Sequence, residues 1–172
     1  EIIADKKYKL NSKFKNEIIY SLAYCSGHTG IAGGQELDLK FENKKKNISK
    51  IIDMQKKKTG KLFNFCLYAV GVIANQNKKE KFFLSNLGEE IGLLFQLSDD
   101  FLDIKSTKKL TGKSVKKDSK KGKSTLLNLL GEKKAYLYAL NLKKKILLKL
   151  KKHGKKAIDL TNTIEFILGR NF

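Results

Sequence analysis

Proline and tryptophan are absent from the 172 residues. Without proline the chain carries no obligatory helix breaker, so long uninterrupted helices are permitted throughout. Cysteine occurs only at Cys25 and Cys66, with no C-x-x-C or Cys/His spacing. That excludes a disulfide framework and a structural zinc site, and predicts two reduced thiols in a cytoplasmic-type compartment. His28 and His153 are isolated, neither having a partner within four residues that would make a ligand pair. No apolar run approaches the ~18 residues that cross a bilayer, and nothing resembles a secretory signal. A cytoplasmic protein without a membrane span is expected.

Arginine is nearly missing as well: Arg170 is the only one, although Lys and Arg together number 37 against 17 acids, for a net charge of +20. Base-edge and phosphate-fork recognition rely on the planar guanidinium, and the lysines are spread over every segment instead of clustering with stacking aromatics. Runs such as Lys44–Lys46, Lys56–Lys58 and Lys143–Lys145 read as solvated faces and loops. Specific nucleic-acid binding is therefore not expected, while non-specific attraction to anions is.

What the chain does have is helical periodicity. With 41% hydrophobic residues and few β-branched alternations, residues 1–172 read as part of a single all-α domain with one core. Phe14, Ile18, Ile19, Leu22 and Ala23 mark a first helix from about Asn11. Ile48 to Asn75 reads as one long helix. Ala135, Ala139, Leu142, Ile146 and Leu150 form the inner face of another, and Ala157, Leu160, Ile164 and Leu168 that of the last. Residues 106–124, rich in Ser, Thr, Lys and Gly with almost no apolar anchor, predict a flexible lysine-rich loop, too long for a mere connector. Gly112-Lys113-Ser114 and Gly122-Lys123-Ser124 each lack the earlier glycine of a P-loop, and Gly27 to Gly34 fits no G-x-G-x-x-G spacing. Glu1 has no initiator Met before it, which predicts an N-terminally truncated piece of a longer protein.

The stretch Gly88–Lys105, GEEIGLLFQLSDDFLDIK, is apolar on most sides and ends in three carboxylates. On a helix, Asp99 and Asp103 share a face with Cβ atoms about 5–6 Å apart, and Asp100 flanks them. Oxygen-only ligands of this kind suit Mg²⁺, which is usually bound by one or two carboxylates together with substrate phosphates. An exposed acidic helix end is the plainer alternative. Against it, acids in a last turn oppose the helix dipole, and a helix apolar on most sides is buried among others. Gly88 and Gly92, four apart, further predict close helix approach, since each glycine costs about 1 kcal/mol against alanine.

Taken in order, GGQELDL (Gly33–Leu39), KTGKL (Lys58–Leu62), GLLFQLSDDFLD (Gly92–Asp103) and the Gly112–Thr125 stretch with its GK, Asp118 and GKST resemble the later motifs of the trans-prenyltransferases, most closely bacterial short-chain enzymes of the farnesyl diphosphate synthase type. The resemblance implies an isoprenoid-synthase-type helical bundle around a deep pocket. It also implies Mg²⁺-dependent elongation of an allylic diphosphate with isopentenyl diphosphate to a short-chain prenyl diphosphate, farnesyl foremost, by an enzyme that is a homodimer when full length. By the family's pattern Asp99, Asp100 and Asp103 hold Mg²⁺, while Lys58, Lys113 and Lys123 hold the allylic diphosphate. Thr59 and Gln96 lie beside the developing carbocation, Phe95, Gln35 and Asp38 near the homoallylic substrate, and Arg170 corresponds to a basic tail. Lys116 and Lys117 depart from the family's small residues. The family's first aspartate-rich motif is absent, so this chain alone is expected to be inactive. Two other readings are a non-catalytic partner subunit of the same fold and a lysine-rich anion- or nucleic-acid-binding module.

Overall fold

Asn11 starts the first helix, its Oδ1 accepting from the Lys13 backbone N–H at 2.8 Å, and α1 runs Ser12–Ser26. After a glycine-bearing turn, α2 spans Ile31–Phe41. Asn47 caps α3 (Ile48–Gln55) through the Lys50 N–H at 2.9 Å. A π-helical turn, Lys56–Gly60, leads into α4 (Lys61–Ile73), and α5 (Lys78–Thr111) follows. Thr125 caps the short α6 (Leu126–Leu130), accepting from Asn128 N–H at 3.1 Å. Then come α7 (Glu132–Lys151), a 3₁₀ turn at Gly154–Ala157, and α8 (Ile158–Gly169). This computed structural model describes residues 3, 5, 7, 9–111 and 124–169. Among them every regular element is helical, as the periodicity predicts.

The helix α5 is the axis of the molecule. It packs against α4 and the π-turn on one side and against α7 and α8 on the other. Leu87, Leu93, Leu94 and Leu97 are essentially inaccessible to solvent, and each such side chain stabilises the fold by about 1.5–3 kcal/mol. The predicted inner face of α7 is buried in full, and Ile164 and Leu168 of α8 close the core, with Leu160 partly buried against it. Gly88 and Gly92 lie where α5 meets the chain from Gly60 to Asn64. A Cβ on Gly88 would sit 2.3 Å from the Phe63 carbonyl oxygen, and one on Gly92 would sit 2.7 Å from the Gly60 Cα. No helix among the described residues is long and apolar enough to cross a membrane.

Three expectations need correction. The single helix expected over 48–75 is interrupted by the π-turn and ends at Ile73. The loop expected over 106–124 starts late, because α5 continues to Thr111, and residues 112–123 lie outside the described residues. The acids therefore stand inside α5 and not in its last turn. The macrodipole acts within the last turn, so it does not account for their placement.

Candidate active site

Gln96, Asp99, Asp100 and Asp103 follow the i, i+3, i+4, i+7 rule of one helix face, and all four line one hollow of about 90 Å³. Thr125, Leu127 and Asn128 form the facing wall, brought there by the cap that starts α6. Asp103 is exposed, while Asp99 and Asp100 are half-buried.

Asp100 is held from two sides. Its Oδ1 accepts from Gln96 Nε2 at 3.0 Å and its Oδ2 from Gln55 Nε2 at 3.2 Å. Burial pushes its carboxyl up to about 6, with Asp103 and Asp99 adding repulsion and the two amides opposing it. The same Gln96 accepts at Oε1 from Thr59 Oγ1, 2.6 Å away. The π-turn is thereby bonded directly to the acid-bearing face.

Lys58, in that turn, places Nζ 2.5 Å from Asp38 Oδ2 of α2, both side chains partly buried. Gly34 permits this approach: a Cβ there would lie 2.2 Å from the Lys58 backbone nitrogen. Gln35 stands exposed on α2, outside the network. Phe95 tilts against Phe63, with ring centroids 5.4 Å apart. With Leu67, Ile91, Leu160 and Phe166 these two wall a cavity of about 310 Å³ whose lining is almost wholly apolar. Because Phe95 and Gln96 are adjacent in sequence, an apolar wall and the polar network share one turn of α5. The remaining expected residues, Lys113, Lys123 and Arg170, lie outside the described residues.

Gln55 and Asn128 are site residues that no sequence pattern singles out, and Thr125 enters the sequence reading only as the end of the GKST motif. Gln55 is the one with the clearest structural mark: it is 3% exposed, and its Oε1 has no hydrogen-bond partner among the described residues. Its neighbours Lys56–Lys58 draw attention to charge, and nothing in their spacing reveals a buried amide.

Donor chemistry at the hollow is all oxygen and amide. No group of three or more His, Cys, Asp or Glu side chains converges as a metal cage among the described residues. Mg²⁺ does not require one, since it keeps several waters and takes one or two carboxylates plus phosphate oxygens, so the donors present fit that ion.

The polyprenyl synthetase family profile matches residues 4–165. The chain is similar to the farnesyl diphosphate synthase of Micrococcus luteus, 34% identical over 123 residues that cover 72% of this chain and 42% of that protein. An FPP/GFPP synthase structure from Zymomonas mobilis superposes with a TM-score of 0.80 at 32% identity, covering 96% of this chain and 55% of that one. A geranyltransferase from Helicobacter pylori, solved with magnesium and isoprenyl diphosphate, gives 0.77 at 29% identity, over 94% of this chain and 53% of that one. The chain belongs to the polyprenyl synthetase family, and its fold is that of the helical isoprenoid synthases. It spans under half the length of the Micrococcus relative and about half of the two solved chains.

Proposed function

We propose that this chain carries one of the acid motifs of a Mg²⁺-dependent short-chain prenyl diphosphate synthase, which joins an allylic diphosphate to isopentenyl diphosphate and releases diphosphate. The observation that carries the reading is the continuous network from Thr59 through Gln96 to Asp100. It fixes the lysine-bearing turn beside a hollow lined by three carboxylates. The Zymomonas protein's double name leaves farnesyl as one product class among neighbours. We assign farnesyl on the resemblance of the motifs to short-chain enzymes.

Asp99 and Asp103 would hold the Mg²⁺, with Asp100 fixed between them. Bound there, the ion would supply positive charge to the diphosphate oxygens as the allylic C–O bond breaks. Lys58 contributes a further positive charge to a departing diphosphate, and Lys113 and Lys123 are assigned the same task. Thr59 and Gln96 present oxygen atoms beside a developing carbocation. Phe95 and Phe63 wall off the apolar cavity and keep water from quenching it. Gln35, Asp38 and Arg170 are assigned to the isopentenyl diphosphate side.

The test is calorimetric binding of inorganic pyrophosphate to this chain with and without Mg²⁺, alongside incorporation of labelled isopentenyl diphosphate onto geranyl diphosphate by the chain completed with the family's first aspartate-rich motif. Mg²⁺-dependent binding that disappears in Asp99→Ala is expected. Binding that ignores Mg²⁺ and survives Asp99→Ala would reduce the chain to a basic helical bundle. Chromatography of the completed enzyme's dephosphorylated products assigns the chain length.

A further inference from the structure

The π-helical turn Lys56–Gly60 is tied to α5 at both of its shoulders. Gln55, the last residue of α3, donates from Nε2 to Asp100 Oδ2 at 3.2 Å. Thr59, inside the turn, donates from Oγ1 to Gln96 Oε1 at 2.6 Å, and Gln96 closes the path with its Nε2 on Asp100 Oδ1 at 3.0 Å. A π-turn is a rare device, found mostly as a single turn inside helices and often at functional sites. Relaxing this one to regular helix would remove its extra residue and rotate α3 and Lys58 by about 100° relative to α4. Lys58 would then face elsewhere.

Gln55 itself is not explained by the needs of the core. At 3% exposure it keeps a buried acceptor, Oε1, with no donor among the described residues. Leaving such a group unsatisfied is unfavourable to folding, whereas an apolar side chain of the same length would not be.

We infer that Gln55 is a positioning residue of the site: together with Gln96 it braces Asp100 as a strut that holds the π-turn, and with it Lys58, against the acid-bearing face of α5. This rests on the diphosphate-binding reading and sharpens it. Asp100 works inward, through the amides on both of its oxygens, and holding Mg²⁺ falls to Asp99 and Asp103. Outer partners of this kind commonly shift metal affinity or activity by about 10–100-fold when removed.

The experiment compares wild type, Gln55→Met, Thr59→Val, the double variant and Asp99→Asn by calorimetry with inorganic pyrophosphate and Mg²⁺, and by melting temperature without ligand. The expected result for Gln55→Met is pyrophosphate affinity down at least ~10-fold with a melting temperature close to wild type, because the unpaired Oε1 is removed together with one of the two amide donors to Asp100. The double variant should bind no worse than the weaker single one, because both substitutions release the same turn. If Asp99→Asn abolishes binding while Gln55→Met stays within twofold of wild type, the strut is refuted and the diphosphate site stands. The strut is equally refuted if Gln55→Met lowers melting temperature and affinity together, or if the two losses add in full. If Asp99→Asn binds as wild type does, the diphosphate reading itself fails and takes the strut with it.

Discussion

Gly92 packs directly on Gly60: a methyl group on the former would stand 2.7 Å from the Cα of the latter. The contact presses α5 onto the end of the π-turn, so one glycine pair sets how near the lysine-bearing turn lies to the acids.

Alanine at these positions should therefore cost stability despite its better helix propensity. Overpacking a rigid interface costs about 1–3 kcal/mol, more than the ~1 kcal/mol that alanine gains over glycine in a helix. Gly88→Ala should be the worse of the two, since its Cβ would stand 2.3 Å from the Phe63 carbonyl oxygen, while nothing lies within 4 Å of a Cβ on Gly169. Urea unfolding should rank Gly88→Ala below Gly92→Ala, with Gly169→Ala near wild type. Equal stability of all three would mean that α4 and α5 do not approach this closely.

The pH dependence has two opposing parts. Burial and the neighbouring acids hold Asp100 up at about 6 despite partial relief from Gln96 and Gln55, against an unfolded value of about 3.9. A raised carboxyl favours the neutral form in the fold. Its contribution to stability is thus best below the unfolded value, declines as pH rises toward 6 and is least above it. The penalty at neutral pH is roughly 3 kcal/mol. Asp100→Asn should remove it, and Gln55, whose Oε1 lacks a partner among the described residues, can turn its amide to accept from the new Nδ2. The variant is expected to be more stable than wild type at pH 7 and little different at pH 4. A wild-type advantage at pH 7 would show that Asp100 is stabilised as a carboxylate.

Glu90 behaves in the opposite sense. Burial alone would raise its carboxyl, but Lys149 at 2.6 Å and Lys145 at 2.9 Å together bring it below the ordinary value. The stabilisation it provides is present above the unfolded value, about 4.3, and is lost as pH falls through the depressed folded one. Glu90→Gln should lower stability by about 1–2 kcal/mol at pH 7, and the gap to wild type should close on acidification. A gap that persists at pH 3 would assign the effect to packing.

The helical class, the inner faces of α7 and α8, the shared face of the acids and the close helix approach at Gly88 and Gly92 were all legible, because each leaves a local signature: a period or a glycine spacing. The π-turn was not. Nothing in KKKTG distinguishes a five-residue turn from ordinary helix, and the bonds at its shoulders, Gln55 to Asp100 and Thr59 to Gln96, span 45 and 37 residues. The end of α5 is hidden by composition instead. Ser, Thr and Lys after Ile104 have loop composition, yet α5 carries on to Thr111. Gln35 and Asp38 share a helix face by spacing, but only Asp38 reaches the network, because Gly34 admits the Lys58 backbone on its side of α2.

The Lys58–Asp38 pair yields the last prediction. Asp38 Oδ2 lies 2.5 Å from Lys58 Nζ with its side chain only 16% exposed, so an incoming diphosphate must compete with a carboxylate already on the ammonium group. The carboxylate also repels the anion directly. Replacing it with an amide that keeps its shape should strengthen Mg²⁺-dependent pyrophosphate binding by about twofold to fivefold, the range of a partly exposed ion pair. Lys58→Met should weaken the binding in either background. Added salt should narrow the difference between wild type and Asp38→Asn, because the competition is between charges at a partly solvated site. If Asp38→Asn binds pyrophosphate more weakly than wild type at every salt concentration, Asp38 serves instead to aim the Lys58 ammonium at the anion, and the pair is a guide and not a competitor.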